Sequence, residues 1–434
     1  MLPIFCLTLI IVLYTFLGEA IIHNRKKFIC NILIILLTLY DFLFINASYI
    51  LPQSFNTIFK AFSELILLLF IIKIIYGNKE LKFKTNDIER KLTVLIGLPF
   101  FIATIDSLGS FNFSNFINGF RCFFLPIFIG YIFYSYRILN ISKKVILFLS
   151  LIIFIYGLLQ EISFSGNLSS LWQYENMFDE YGANLMDKNK AAYMDGNKLR
   201  VMSVYVSSID FSVVSSFFTI LLLGLYLQYK KLIFISLAII GSICVCLSRT
   251  RVGIVALIIG CISLFLIVNK PNARITRMSA IGLPVLAIIF TFSSLAIGIT
   301  TDLSALGRII QYVSYWEWFS IFGYGICDET AIFSFDSFVL ACFRMMGIFS
   351  ILYFIWFLYS INQIYNNCQR VRNTLVCACI ANASSSLYVF AFQHLAGSSA
   401  FFLINIFIFI GLRSIHNYKY NEKKFNRCFV GCSI

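Results

Sequence analysis

The chain has 434 residues, of which 60% are hydrophobic and only 12% are charged, and its mean hydropathy is +0.87. A soluble domain carries about 25% charged residues because it must cover its surface. The composition therefore excludes soluble enzymes, nucleic-acid-binding proteins and secreted disulfide scaffolds. It indicates a polytopic membrane protein whose outer face contacts lipid. The formal net charge of +14 is informative mainly through its placement along the chain.

Apolar stretches recur along the whole chain, and a helix needs roughly 20 apolar residues to cross the hydrocarbon layer. We expect an all-α fold, with residues 1–434 forming a single polytopic bundle of about 12–13 transmembrane spans. The first stretch has no basic n-region and no small-residue cleavage site, so we expect a retained helix rather than a signal peptide. The predicted spans are 2–22, 28–50, 56–77, 92–107, 116–136, 145–164, 207–228, 232–248, 252–268, 278–299, 336–360, 374–392 and 398–412.

The basic residues follow the alternation of these spans. If the turn at 23–27 is cytoplasmic, the cytoplasmic loops and the tail hold 24 of the 34 Lys and Arg residues. This distribution obeys the positive-inside rule at every loop. It predicts an N-terminus outside and a C-terminus inside.

Two external loops are long, one over 165–206 and the other over 300–335. Long loops on one side of a helix bundle are usually functional. Both loops are rich in aromatic residues, including Trp172 in the first and Trp316 in the second. These rings fit either an interfacial aromatic belt or stacking platforms for sugars, and the sequence leaves both open.

Thirteen cysteines are present, but only Cys327 falls in an external loop. A disulfide framework cannot form from one external thiol, and Cys377 and Cys379 are too close together for a zinc site. We therefore expect neither a metal nor a cofactor.

Six arginines concentrate at the outer ends of the spans, the side that the positive-inside rule should deplete. Arginine offers a planar, permanently charged fork that matches phosphate oxygens. A cationic site at the outer interface would suit a lipid-linked diphosphate. The alternative is structural pairing with the carboxylates of Glu64, Asp106, Glu161 and Asp210, although four carboxylates cannot neutralise six arginines. These arginines are Arg121, Arg200, Arg249, Arg251, Arg308 and Arg344.

Candidate bases on the same side are few. Asp336 stands where the second loop re-enters the membrane, eight positions before Arg344, so the two could share a helix face. A partly desolvated carboxylate there could act as a general base, or it could cap the helix. His394, in the last external turn, is a weaker candidate. Gly323 and Gly325 form a Gly-Tyr-Gly motif with no phosphate-loop pattern after it.

At these residues the chain resembles the O-antigen polymerase (Wzy) family of the O-antigen polymerase and ligase superfamily. The segment Ser248-Arg249-Thr250-Arg251-Val252-Gly253 resembles the family's Ser-Arg-Thr-Gly motif at the start of a helix. Leu199-Arg200-Val201 resembles the motif that follows the first large loop, but the Gly, Pro and Asn of that motif are absent. The third segment runs from Arg308 through Trp316 and Gly323-Tyr324-Gly325 to Asp336-Ser337, where Ser337 replaces the usual Asn.

The resemblance implies the helical architecture of lipid-dependent glycosyltransferases (GT-C type), located in a bacterial inner membrane with an active site facing the periplasm. The implied reaction joins undecaprenyl-diphosphate-linked oligosaccharide repeat units into a surface polysaccharide. The implied partners are this lipid-linked glycan as donor and acceptor, membrane lipid and a chain-length regulator protein. No nucleic acid is implied.

The resemblance also implies roles for individual residues. Arg249 and Arg251 would be catalytic at the diphosphate, with Asp336 as the base. Binding of the donor and acceptor would fall to Arg200, Arg308, Trp316, Gly323, Gly325 and Arg344. Arg121 joins this substrate-binding set through its position near the outer end of its span.

Two other functions compete with the polymerase. An O-antigen ligase would transfer the glycan to lipid A core, but the ligase pattern carries His where this chain has Asp336. A polysaccharide flippase would place its charge near mid-membrane, open to both faces in turn, whereas these arginines lie near the outer end.

Overall fold

The computed structural model describes residues 2–23, 25–47, 87–135, 141–165, 194–195, 198–205, 207–269, 273–296, 303–333, 335–367 and 373–430. Within these ranges the chain is helical apart from turns and one small antiparallel pair, β1 (Met194–Asp195) with β2 (Lys198–Leu199). The helices are α1 (Leu2–Ile22), α2 (Lys26–Thr38), α3 (Tyr40–Ala47), α4 (Asp87–Asp106), α5 (Phe113–Gly119), α6 (Leu125–Ser135), α7 (Lys143–Ser165), α8 (Ser208–Tyr229), α9 (Leu232–Leu247), α10 (Arg251–Asn269), α11 (Ala273–Ala296), α12 (Leu303–Ser314), α13 (Glu329–Phe333), α14 (Phe338–Met346), α15 (Ser350–Asn367), α16 (Thr374–Phe392) and α17 (Ser399–Val430).

Short 3₁₀ segments cover Leu108–Ser110, Tyr315–Trp318 and Gly347–Phe349. A π-helical segment, Phe120–Phe124, joins α5 to α6, so these elements form one continuous helical span. Several helices begin at side chains that bind the free N–H groups of the first turn. The side-chain Oδ1 of Asn112 accepts from two backbone N–H groups at the start of α5, and the Oδ1 of Asn373 does the same for α16.

Seven helices of the described part are long and apolar enough to cross a membrane, and four more are apolar but shorter. The all-helical, multi-pass architecture expected from the sequence is thereby confirmed. A helix stands at each predicted span except 56–77, which lies outside the described residues. The predicted span 28–50 is interrupted at Leu39, between α2 and α3, and α17 continues well beyond residue 412.

The centre of the bundle is formed by α8, α16 and the first part of α17, α10 packs against α8 and α16 with its other face exposed, and α1 lies at the periphery. In the most apolar window of α16, 89% of the residues are buried, against 28% in that of α1. The central helices approach closely through small residues, as is common between helices in membranes. Gly224 of α8 lies against Ala378 of α16, and Gly253 of α10 lies against Ser212 of α8.

Peripheral helices present large apolar side chains outward, where a lipid bilayer would cover them. On α15 and the 3₁₀ turn before it, Ile348, Ile351, Ile355 and Leu358 are all exposed and recur every three or four residues. This spacing keeps them on one face of a helix. They form the lipid-facing stripe of that span.

The second large loop differs from the sequence interpretation, because much of it is helical. Residues 303–314 form α12, and 329–333 form α13. The reason is the apolar spacing of Leu303, Leu306, Ile310 and Val313, which places these residues along one side of a helix. In the first large loop, residues 166–193 with Trp172 lie outside the described residues.

Candidate functional site at one end of the bundle

Arg249 lies within the tight turn between α9 and α10, and Arg251 is the first residue of α10. The φ of Arg249 is +53°, a left-handed conformation that costs a residue with a Cβ about 1–2 kcal/mol. The Ser248 hydroxyl fixes the turn, since it donates to the Val245 carbonyl at 2.6 Å and lies 3.0 Å from the Thr250 hydroxyl. The turn therefore holds Arg249 in a strained conformation at the end of the bundle, a feature that is frequent at functional sites.

Arg249 forms an ion pair with Glu161, near the end of α7. The distance between its Nη2 and the Glu161 Oε1 is 3.1 Å, and the two side chains are 18% and 26% exposed. This pairing is the structural alternative that the sequence had left open for Arg249. Arg251 is exposed on the first turn of α10, where the positive end of the helix dipole adds to its charge.

The residue after Arg200 bonds to the end of α9, so the Arg200 backbone lies beside the turn between α9 and α10. The Val201 N–H donates to the Leu247 carbonyl at 3.5 Å, next to the turn that carries Arg249. The Arg200 side chain is half-buried, and its Nε is buried without a hydrogen-bond partner in the part of the chain that the structure describes. Arg200, Arg249 and Arg251 thus belong to one group, which we call the arginine cluster.

Gln160 holds the segment that follows Arg200. Its buried Oε1 accepts from the N–H groups of Met202 (2.8 Å) and Ser203 (2.7 Å). Ser203 has a positive φ of +50°, and its hydroxyl donates to the Ile153 carbonyl at 2.6 Å. Gln160 is not among the site residues predicted from the sequence. The signal was available, because Gln160 and Glu161 are two adjacent polar residues near the end of an otherwise apolar span.

A second group contains the Gly-Tyr-Gly motif. The Tyr324 N–H donates to the Arg344 carbonyl, and the Gly325 N–H donates to the Met345 carbonyl. Gly323 and Gly325 have φ of +94° and +84°, values that favour glycine. A Cβ on Gly323 would also stand 2.4 Å from the Met345 carbonyl oxygen. The motif thus allows the second loop to run directly beside the end of α14.

Arg344 is held within this second group. Its Nε donates to the Asp328 carboxylate at 2.8 Å, and its guanidinium lies 3.3 Å from the centre of the Tyr324 ring. It does not share a helix face with Asp336, because α14 begins only at Phe338. Nearby, burial raises the pKa of Tyr315 to about 12, although the charge of Arg344 acts in the opposite direction.

Asp336 lies just before α14 and is exposed. The N-cap of α14 is Ser337 rather than Asp336, so the capping alternative for Asp336 is not what the helix uses. The Asp336 N–H donates to the Gln311 Oε1 of α12 at 3.1 Å. The Tyr312 hydroxyl lies 2.7 Å from the Ser337 hydroxyl and donates to the Ala391 carbonyl at 2.9 Å. The inward face of α12 therefore fixes the backbone beside Asp336.

The other candidates are placed around these groups. Arg121 lies in the π-helical segment, with its guanidinium 5.1 Å from the centre of the Tyr40 ring. The His394 ring packs edge-on to Phe123, with 6.3 Å between the ring centres. Trp316 is 74% exposed. Arg308 lies on α12, and its side chain is outside what the structure describes.

All these groups lie at the same end of the helix bundle. The Phe338 N–H donates to the Gln393 carbonyl, the Gly397 N–H donates to the Cys122 carbonyl, and the Ile326 N–H donates to the Ala103 carbonyl. The first bond joins the start of α14 to the turn after α16, the second joins that turn to the π-helical segment, and the third joins the second loop to α4. Among the described residues, no group of three or more His, Cys, Asp or Glu side chains could hold a metal ion.

The fold and composition define a multi-pass helical membrane protein, with candidate site residues gathered at one end of its bundle. Comparison of the chain with protein-family models, with curated proteins and with solved structures finds no match.

Proposed function

We propose that the chain is a lipid-linked-glycan polymerase, which joins undecaprenyl-diphosphate-linked oligosaccharide repeat units in a bacterial inner membrane with its active site at the periplasmic face. The observation that carries the proposal is the arginine cluster. Three arginines, Arg200, Arg249 and Arg251, lie in segments that adjoin at the turn before α10, near the end of an apolar bundle. A cationic group beside hydrocarbon suits a ligand with an anionic head and an apolar tail.

The chemistry of the diphosphate explains why several cations would be needed. As the bond between the anomeric carbon and the diphosphate oxygen breaks, negative charge grows on the leaving group. Glu161 neutralises part of the charge of Arg249 and orients its guanidinium at 3.1 Å. Arg251 and the N-terminal end of α10 would then provide the positive potential that the diphosphate requires.

In the proposed reaction, an acceptor sugar hydroxyl attacks the anomeric carbon of the donor in a single displacement. The new glycosidic bond forms as the bond to the diphosphate breaks, and the configuration inverts. Asp336 accepts the hydroxyl proton, while Arg308 contacts the acceptor. Arg121, at the same end of the bundle, is proposed to contact the lipid-linked substrates.

The proposal favours polymerase over ligase through Asp336, which stands where the ligase pattern of the resembling superfamily has His. It favours an enzyme over a flippase because the cluster lies at the end of the helices, whereas a transporter would bind its substrate near mid-membrane.

Reconstitution tests the proposal directly. The purified protein in lipid vesicles would receive a labelled undecaprenyl-diphosphate-linked repeat unit, and the products would be separated by size. A polymerase forms new glycosidic bonds and gives a ladder, whereas a flippase only moves the label across the bilayer. If the label crosses without any ladder, the polymerase assignment is wrong.

Substitution of Arg251 tests the role of the arginine cluster. Arg251→Gln removes a charge from an exposed position, and we expect a roughly 100- to 1000-fold loss of polymer formation, the scale observed when one transition-state donor is removed. Arg25→Gln is the matched control, since Arg25 is also exposed but lies in the turn between α1 and α2. Equal activity of the two variants would contradict the diphosphate site.

Asp336→Asn tests the proposed base separately. The substitution keeps the backbone N–H bond to Gln311 and leaves Ser337 as the N-cap, so only the ability to accept a proton is removed. We expect polymer formation to fall roughly 100-fold or more, with unchanged protein in the membrane. Full activity in this variant would remove Asp336 from the mechanism.

A further inference from the structure

The outward side of α12 and of the turn after it is apolar, although this segment is no transmembrane span. Ile310 is 56% exposed, Val313 is 69% exposed and Trp316 is 74% exposed. Their spacing of three residues places them along one side of the helix and of the 3₁₀ turn that continues it. Large exposed apolar surfaces of this kind mark an interaction site.

The inward side of α12 is anchored at the level where the neighbouring spans end. The Tyr312 hydroxyl donates to the Ala391 carbonyl, next to the last residue of α16. The Tyr312 ring also packs edge-on against Phe292 near the end of α11, with 5.5 Å between the ring centres. The segment α12 therefore lies beside the helix ends, at the height of a membrane interface.

The apolar surface continues into the lipid-facing sides of the spans. On α11, Ile289 and Phe290 are exposed a few residues from Phe292. In the second loop, Ile321 and Phe322 are exposed next to the lipid-facing stripe that begins at Ile348 and continues along α15, because the Ile348 N–H donates to the Ile321 carbonyl. The outward side of the loop is thus an extension of surfaces that the bilayer already covers.

From this continuity we infer that α12 is an interfacial amphipathic helix that is seated in the lipid leaflet at the site end of the bundle. The exposed apolar side of α12 contacts the upper acyl-chain region of the bilayer, into which the side chains of Ile310, Val313 and Trp316 insert. A tryptophan at this depth is favourable, since its ring is amphipathic. This inference is independent of the reaction proposed above, because it depends only on the apolar surface and its height.

Insertion of α12 into the leaflet also affects the candidate functional site. Gln311 and Tyr312, on the inward side of the same helix, bind the backbone at Asp336 and the hydroxyl of Ser337. Lipid contacts one side of α12, and these hydrogen bonds form on the other side. Together they hold the start of α14 in one position. The bilayer surface would therefore help to position Asp336.

Tryptophan quenching tests the inference with the full chain in phosphatidylcholine vesicles. The contribution of Trp316 is the difference between the unmodified protein and Trp316→Phe, because the other three tryptophans, Trp172, Trp318 and Trp356, are present in both. We expect strong quenching by lipids brominated near the top of the acyl chains and little quenching by aqueous iodide.

The matched control moves the indole by one position, in the double variant Trp316→Phe, Glu317→Trp, because Glu317 is also exposed. At this position we expect iodide to quench more strongly than the brominated lipid. If Trp316 responds as the control does, with iodide quenching and no effect of brominated lipid, the outward side of α12 faces water and the inference is overturned.

Discussion

The hydrogen bonds of Gln160 give the most direct prediction about how the site is held. Its buried Oε1 accepts from the Met202 and Ser203 N–H groups at 2.8 and 2.7 Å, immediately after Arg200. Methionine has a similar length and volume but no comparable acceptor, so Gln160→Met leaves both N–H groups buried without a partner. Each buried unsatisfied group costs about 1–3 kcal/mol, which gives a total destabilisation of about 2–6 kcal/mol.

Thermal unfolding of the purified protein in detergent measures this cost. For a chain of this length, 1 kcal/mol corresponds to a shift of about 1 °C in Tm, so we expect Gln160→Met to lower Tm by about 2–6 °C. Leu159→Met is the matched control, because it introduces the same residue at an adjacent but exposed position and should leave Tm unchanged. An equal Tm for both variants would refute the argument that Gln160 supports the segment after Arg200.

Two further substitutions test the second loop. Gly323→Ala places a Cβ at positive φ and 2.4 Å from the Met345 carbonyl oxygen, so we expect a loss of at least about 1–2 kcal/mol by thermal unfolding. Gly307→Ala, in α12 with open space around it, should be neutral or stabilising by up to about 1 kcal/mol, and similar losses in both variants would contradict the steric argument. Tyr312→Phe removes the hydroxyl that donates to Ala391. It should cost about 1–2 kcal/mol, and an unchanged Tm would show that this bond does not hold α12.

The helices of the bundle could be predicted from the sequence because a membrane span is a local signal. Twenty apolar residues form a helix in lipid whatever they pack against, and each predicted span in the described part is helical. The interruption at Leu39 carries no such signal, because Leu39 lies in an apolar run without Pro or Gly. The helix α12 was predictable from the spacing of Ile310 and Val313, but its shorter length concealed it.

The partners in the site could not be predicted, because they depend on which helix ends meet. The sequence offered four carboxylates for six arginines, and only the packing of α7 beside the turn after α9 selects Glu161 for Arg249. Similarly, the spacing of Asp336 and Arg344 suggested one helix face. The start of α14 at Phe338 and the return of the second loop instead bring Asp328 to Arg344.

The central claim is that the chain polymerises lipid-linked glycan repeats, and the lipopolysaccharide ladder of a strain with this gene deleted tests it most directly. We predict that the ladder collapses to core plus a single repeat, and that the intact gene restores it while the Arg251→Gln gene does not. A complete ladder in the deletion strain would contradict the assignment to this polymer. Loss of every repeat from the core would contradict it in favour of ligase or flippase, and accumulated long lipid-linked chains would then select ligase.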